Sequence, residues 1–207
     1  DFVKVLESPD PARIYTYSPG ITVLPSGRLV ATLDLSGPGI DDLPGPKAVA
    51  EWGRKWQGKV FTSDDRGKTW THRVDFPFMH ARPFVAGGRL YVLGQADNLT
   101  IIRSDDEGVT WSEPVTLTSD ERISLTRPDR GTVWHGAPTN VHYAKGYVYL
   151  VFERRMYSDV PGWNVDTMAP ILMRGKVDAD LTKPGNWTFA SPLAFRDAVP
   201  EAELDYF

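Results

Sequence analysis

Side chains able to do chemistry gather in two kinds of place along this chain. Three short segments set polar or ionisable groups just before a proline-bounded apolar run: Arg13-Ile14-Tyr15-Thr16-Tyr17-Ser18-Pro19, His80-Ala81-Arg82-Pro83 and Trp134-His135-Gly136-Ala137-Pro138-Thr139-Asn140. Stretches that join later apolar runs supply the rest. They hold Asp34, Asp41, Asp42, Glu51, Trp52, Arg54, Lys55 and Trp56, then Gln95, Asp97 and Asn98, then Glu153, Arg154, Arg155, Tyr157 and Trp163. Carboxyls and imidazoles in such places can move protons. Arginine forks grip carboxylates with two hydrogen bonds, and aromatic rings offer flat apolar faces. A surface built from Arg, His, acids and Trp suits an anionic or polyhydroxylated sugar. The candidates for chemistry are Asp34, Asp41, Asp42, His80, His135 and Glu153. The candidates for holding substrate are Arg13, Arg82, Asn140, Arg154, Trp52 and Trp56.

The elements that must position these groups announce themselves through a repeat. Ser63-Asp64-Asp65-Arg66-Gly67-Lys68-Thr69-Trp70 and Ser104-Asp105-Asp106-Glu107-Gly108-Val109-Thr110-Trp111 share the pattern S-x-D-x-G-x-T-W and start 41 residues apart. An Asp that caps nearby amides and a Gly that takes positive φ make a tight hairpin turn. The Thr returns to strand geometry, and the Trp can lock the turn. Each box follows a β-favouring run, Lys59–Thr62 and Leu99–Ile102.

This pattern resembles the Asp-box, or BNR repeat, of the sialidase-like β-propellers. The resemblance implies an all-β fold with the boxes on the face opposite the active site. It also implies glycosidase chemistry using an arginine triad, an Asp acid/base and a Tyr nucleophile activated by Glu, outside the usual two-carboxylate scheme. Arg13-Ile14 matches the opening of the first arginine motif in part, with Pro19 four residues late. Asp41 or Asp42 stands where the family's acid/base Asp falls, and the Tyr and Glu belong to a later half. The Leu35–Gly39, His135–Asn140 and Val177–Leu181 stretches, with Asn186-Trp187-Thr188, are similar to bacterial exo-α-sialidase-like proteins. Related propellers include lyases of uronic-acid polymers, for which His80, Arg82, His135, Tyr143 and Arg154 are the candidates. A non-catalytic glycan-binding propeller is the third reading.

Period-2 runs and turn residues divide the chain into three blades of four strands, at about 13–76, 80–118 and 134–195. The hairpin turns between first and second strands carry Gly27, Gly88 and Gly146. The third blade lacks a clean box; residues 178–188 look like a lengthened version that keeps the Trp-Thr. Three blades do not close a ring, since propellers have roughly four to eight. The expectation is half of a six-bladed propeller, completed by a second chain or by a further C-terminal half.

Composition narrows the function classes. With 24% charged and 41% hydrophobic residues and a net charge of −4, the chain is neither disordered nor built for a nucleic-acid surface. No run approaches the ~18 apolar residues of a membrane helix. The absence of Cys excludes disulfides and thiolate chemistry. No cofactor or metal is expected, because turn geometry explains Asp64, Asp65, Asp105 and Asp106. The chain opens at Asp1 without Met, so a secreted or periplasmic protein after signal removal is expected. His72 and His142 read as solvated or packed residues. Asn98-Leu99-Thr100 and Asn186-Trp187-Thr188 match the glycosylation triplet, a pattern common by chance.

Overall fold

The computed structural model describes residues 2–49, 53–119, 134–136, 140–156, 167–200 and 203. Three antiparallel sheets follow one another along the chain. The first blade pairs β1 (Tyr15–Val23), β2 (Leu29–Ser36) and β4 (Lys55–Ser63). Its fourth position is split between β5 (Thr71–Phe76), along the box end of β4, and the short β3 (Ala48–Val49) at the other end. The second blade runs β6 (Met79–Ala86), β7 (Arg89–Ala96), β8 (Asn98–Ser104) and β9 (Val115–Thr116) in order. In the third, β10 (Trp134–Gly136) and β11 (His142–Ala144) share the first position against β12 (Tyr147–Arg155). The blade continues with β13 (Met168–Lys176) and β14 (Trp187–Phe189).

Alternation along the strands makes the packing. Leu90 and Val92 of β7 join Val30, Val60, Phe76 and Phe78 in a core between blades 1 and 2. Tyr91 and Leu93 point the other way, into a core with Val148, Leu150, Phe152 and Trp187 of blade 3. The middle blade therefore buries both faces of β7, and Leu90–Leu93 read as a continuous apolar run rather than an alternating one. Phe84 and Tyr91 stack with ring centroids 5.4 Å apart inside the second core.

The two boxes form the same turn. In each, the Asp carboxylate accepts from the Ser hydroxyl (2.8 Å in both), from the Thr amide (2.9 and 2.8 Å) and from the Thr hydroxyl (2.7 and 2.6 Å). The indole of Trp70 donates to Gly67 O, and that of Trp111 to Gly108 O, both at 3.1 Å. Gly67 and Gly108 take φ of +83° and +87°, which a side chain would resist. The longer third turn keeps the same staple, with Trp187 Nε1 donating to Leu181 O at 2.8 Å. Arg28 ties the first two turns together, pairing with Asp64 at 2.6 Å and donating to Glu107 O at 3.1 Å.

The strands run further from the boxes than the sequence pattern suggests. Asp34, Lys55, Trp56, His80, Arg82, Gln95, Glu153 and Arg154 were expected in loops or leading segments, yet all lie within strands. Polar residues there interrupt the period-2 signal, but ladder pairing continues through them to Ser36, Ala96 and Arg155. The last strand of blade 3 is Trp187–Phe189, which begins inside the stretch read as a lengthened turn. Residues Phe195–Ala198 form a single helical turn.

Candidate active site at the ends of the inner strands

The box serines set a common register. Leu29 pairs with Ser63 and Leu90 with Ser104, so Asp34 and Gln95 hold the same place in their blades. Blade 3 follows the register of its hairpin turn, which puts Glu153 in that place. All three stand seven residues after the turn glycines Gly27, Gly88 and Gly146. Their inner-strand partners are Tyr17, Met79 and His135. All three positions lie at the ends of the strands away from the boxes.

Asp34 is wholly buried there. Both its carboxylate oxygens accept from the main-chain N–H of His80, each at 3.2 Å. Burial pushes this carboxyl up to about 7, against the pull of the His80 amide, the Ser18 hydroxyl and the Arg82 charge. His80 sits in a bulge of β6 at φ +53°, and Ser18 in the matching bulge of β1 at φ +46°. Such backbone in a non-glycine residue costs on the order of 1–3 kcal/mol and is held by its surroundings. Burial and the nearby Arg82 push the His80 imidazole down to about 4, so it is neutral at neutral pH. Gln95 Nε2 lies 3.1 Å from His80 Nδ1; a donor there leaves the ring proton on Nε2.

Two more blades close around the histidine. The ring of Trp56 meets it edge-on with centroids 5.9 Å apart, and Tyr17 packs on Trp56 at 4.9 Å. From the other side, Gly136 approaches so closely that a Cβ would fall 2.4 Å from His80 Cβ. Among the described residues, Trp56 Nε1 and Gln95 Oε1 are buried without a hydrogen-bond partner. Arg82 is half-buried, and burial pulls its pKa down. It lines a groove along β1, β6 and β11 with Asn140, Tyr143 and Thr22.

The remaining candidates lie elsewhere. Asp41 and Asp42 occupy an exposed 3-10 turn, paired with Lys55 at 2.7 Å and Arg13 at 2.9 Å. Arg154 faces blade 2 and reaches Met156 Sδ at 3.6 Å. His135 is buried on β10 opposite Glu153. Trp52 lies outside the described residues. Gln95, Tyr17 and Ser18 were not singled out from sequence as site residues. The constant offset from the turn glycines is the signal that finds Gln95.

No protein-family model matches the chain, and no curated protein does. Solved structures do. An α-L-arabinofuranosidase from Lactobacillus brevis superimposes with a TM-score of 0.59 at 17% identity, over 90% of this chain and 58% of that one. Penicillium chrysogenum α-L-arabinanase complexed with arabinobiose gives 0.52 at 17% identity, over 86% of this chain and 49% of that one. A Hadza microbial sialidase gives 0.52 at 17% identity, over 86% and 37%. These likenesses establish the fold as a β-propeller, and the chain spans about half the length of the first two structures.

Proposed function

We propose that this chain forms part of a carbohydrate-active glycoside hydrolase of sialidase-like type that acts on acidic glycans, with Asp34 as the buried carboxyl that positions His80 on the floor of its site. One observation carries the reading. At the junction of the blades the wholly buried Asp34 carboxyl clasps the His80 main chain, and a neutral imidazole stands above it beside Arg82. A buried carboxyl held in this way fixes the groups above it, as a site that orients a sugar requires. The partly exposed His80 and Arg82 that cover Asp34 form the floor a sugar ring would meet. The Arg82 guanidinium, in a groove with Asn140, suits the carboxylate of an acidic sugar.

The same observation weighs against the lyase reading. Abstraction of a proton next to a uronate needs a base matched to neutral pH, and an imidazole at about 4 is a weak one. That the matched propellers include an arabinanase, an arabinofuranosidase and a sialidase supports glycoside hydrolysis as the reaction class. A secreted or periplasmic setting, where polymeric glycans are met, goes with this function.

The test compares leaving groups. Sialosides, uronides and arabinosides are offered with poor alkyl and with activated aryl leaving groups, using the assembled propeller. Asp34→Asn is expected to lower kcat by a similar factor on alkyl and aryl glycosides, because the carboxyl acts through His80 rather than on the leaving group. A loss confined to alkyl glycosides would make Asp34 a proton donor and overturn the positioning role, and no turnover of any of the three substrate classes would dismiss the hydrolase reading.

A further inference from the structure

Beside the His80 floor, blade 1 carries a second hollow that the proposed reaction leaves unassigned. Tyr15 and Tyr17 stand two residues apart on β1, opposite Ser36 and Asp34, so both lie on the side of the blade that meets blade 2. The hollow has a volume of about 400 Å³ and is built wholly from blade 1. Its lining includes the two tyrosines, Gly37 from the loop after β2, and Asp41, Arg54 and Lys55. That volume falls in the range of ~300–1,000 Å³ found for small-molecule sites.

Local packing fixes its parts. Gly37 takes φ +123°, and a Cβ there would fall 2.4 Å from Arg13 O and 3.1 Å from the Tyr15 ring, so the loop is held close beneath both. The Gly39 amide donates to Arg13 O at 2.9 Å, and the Tyr15 hydroxyl donates to Ala12 O at 3.2 Å. Tyr15 nevertheless stays 41% exposed, which leaves its ring open to a ligand. Lys55 Nζ donates to both Asp41 oxygens, at 2.7 and 2.9 Å. An ionised carboxylate has more acceptor sites, and an ammonium more donors, than one ion pair uses. Both side chains are therefore still able to bond hydroxyls.

The geometry points to a second sugar subsite here, one that takes an uncharged ring of a glycan. A tyrosine ring offers an apolar face to the C–H face of a sugar. Asp41 accepts from the sugar hydroxyls and Lys55 donates to them. These two charges cancel, and the carboxylate in the lining disfavours a sugar acid. Arg54 stands at the exposed rim, where salt screens it. Tyr17 packs on Trp56 at 4.9 Å and Trp56 meets His80 at 5.9 Å, so the hollow and the His80 floor share one wall of rings. That a single glycan runs across both rests on the hydrolase reading; the binding of a sugar at Tyr15 does not.

The test titrates neutral disaccharides (lactose, maltose, cellobiose, arabinobiose and xylobiose) into the assembled propeller. Calorimetry and saturation-transfer NMR follow binding, so no turnover is needed. At least one sugar is expected to bind with a Kd on the order of 1 mM. Tyr15→Ala should weaken that binding at least fivefold and Asp41→Asn at least threefold. Tyr15→Phe, which keeps the ring, and Lys68→Ala, on an exposed box residue, should hold it within twofold. If Tyr15→Ala fails to fold, Asp41→Asn on its exposed 3-10 turn decides the matter. Binding lost in His80→Asn but kept in Tyr15→Ala would put the sugar on the His80 floor and overturn the proposal. So would binding of none of these sugars, or a larger loss for glucuronic acid than for the neutral sugars in Tyr15→Ala. Sugar bound at Tyr15 in a propeller that turns over no glycoside would count against the hydrolase reading alone.

Discussion

The two oxygens of Asp34 hold the main-chain N–H of His80, each at 3.2 Å, across 46 residues of sequence and from one blade to the next. That clasp joins the only buried carboxyl among the described residues to a histidine in strained backbone. It governs both how the first two blades meet and how the site titrates.

The pair should make stability depend on pH in opposite senses. Asp34 rises from an ordinary carboxylate value of 3.8 to about 7 in the fold. Its contribution is therefore full below pH ~4 and lost as pH climbs through 7. His80 falls from 6.5 to about 4, so its contribution is full above pH ~6.5 and lost as pH drops through 4. In the parent chain the two slopes offset each other between pH ~4 and 6.5. Denaturant midpoints should then show stability rising with pH over that window in Asp34→Asn. They should show it falling with pH in His80→Asn, a residue that tolerates positive φ. Parallel profiles in the two variants would dismiss the assignment.

Gly136 is required by proximity. A methyl group placed there would lie 2.4 Å from His80 Cβ and 3.2 Å from Gln95 Oε1. Because the His80 backbone is pinned by Asp34, the strand rather than the ring must give. Gly136→Ala is expected to cost about 1–3 kcal/mol in unfolding free energy, as overpacked sites do. A change below about 0.5 kcal/mol would mean that β10 shifts freely over the histidine.

The box aspartates should set the acid limit of the fold. Thr69 amide and hydroxyl bonds hold Asp65 down to about 2, and the Thr110 hydroxyl and amide do the same for Asp106. A depressed carboxylate contributes stability above its unfolded value of 3.8, and that contribution is lost as pH falls through 2. Thermal melts between pH 5 and 2 should show the parent losing stability more steeply than Asp65→Asn or Asp106→Asn. Identical slopes in all three proteins would assign acid unfolding elsewhere.

Much of the architecture was legible because it is local. A turn such as Asp65 with Thr69 closes over four residues, so its donors, acceptors and glycine all stand in one short string. Alternation in Val148, Leu150 and Phe152 is likewise visible without a partner strand. The upper strand ends were harder. Asp34, His80 and Glu153 break the alternation, and their continuation as strand depends on neighbours that the local pattern does not contain. The lengthened third turn kept its Trp187 but hid the fourth strand behind it.

The sequence by itself therefore determined the three blades, their turns and the inventory of acids, histidines and arginines at one end, since hydrogen-bonding turns and strand periodicity are encoded within a few residues. Only the tertiary structure decided which of that inventory meet. Asp41 and Asp42 went to exposed ion pairs with Lys55 and Arg13, while Asp34 was sealed beneath His80. Its proton is kept by burial between two sheets, and burial belongs to the assembled blades rather than to any stretch of chain.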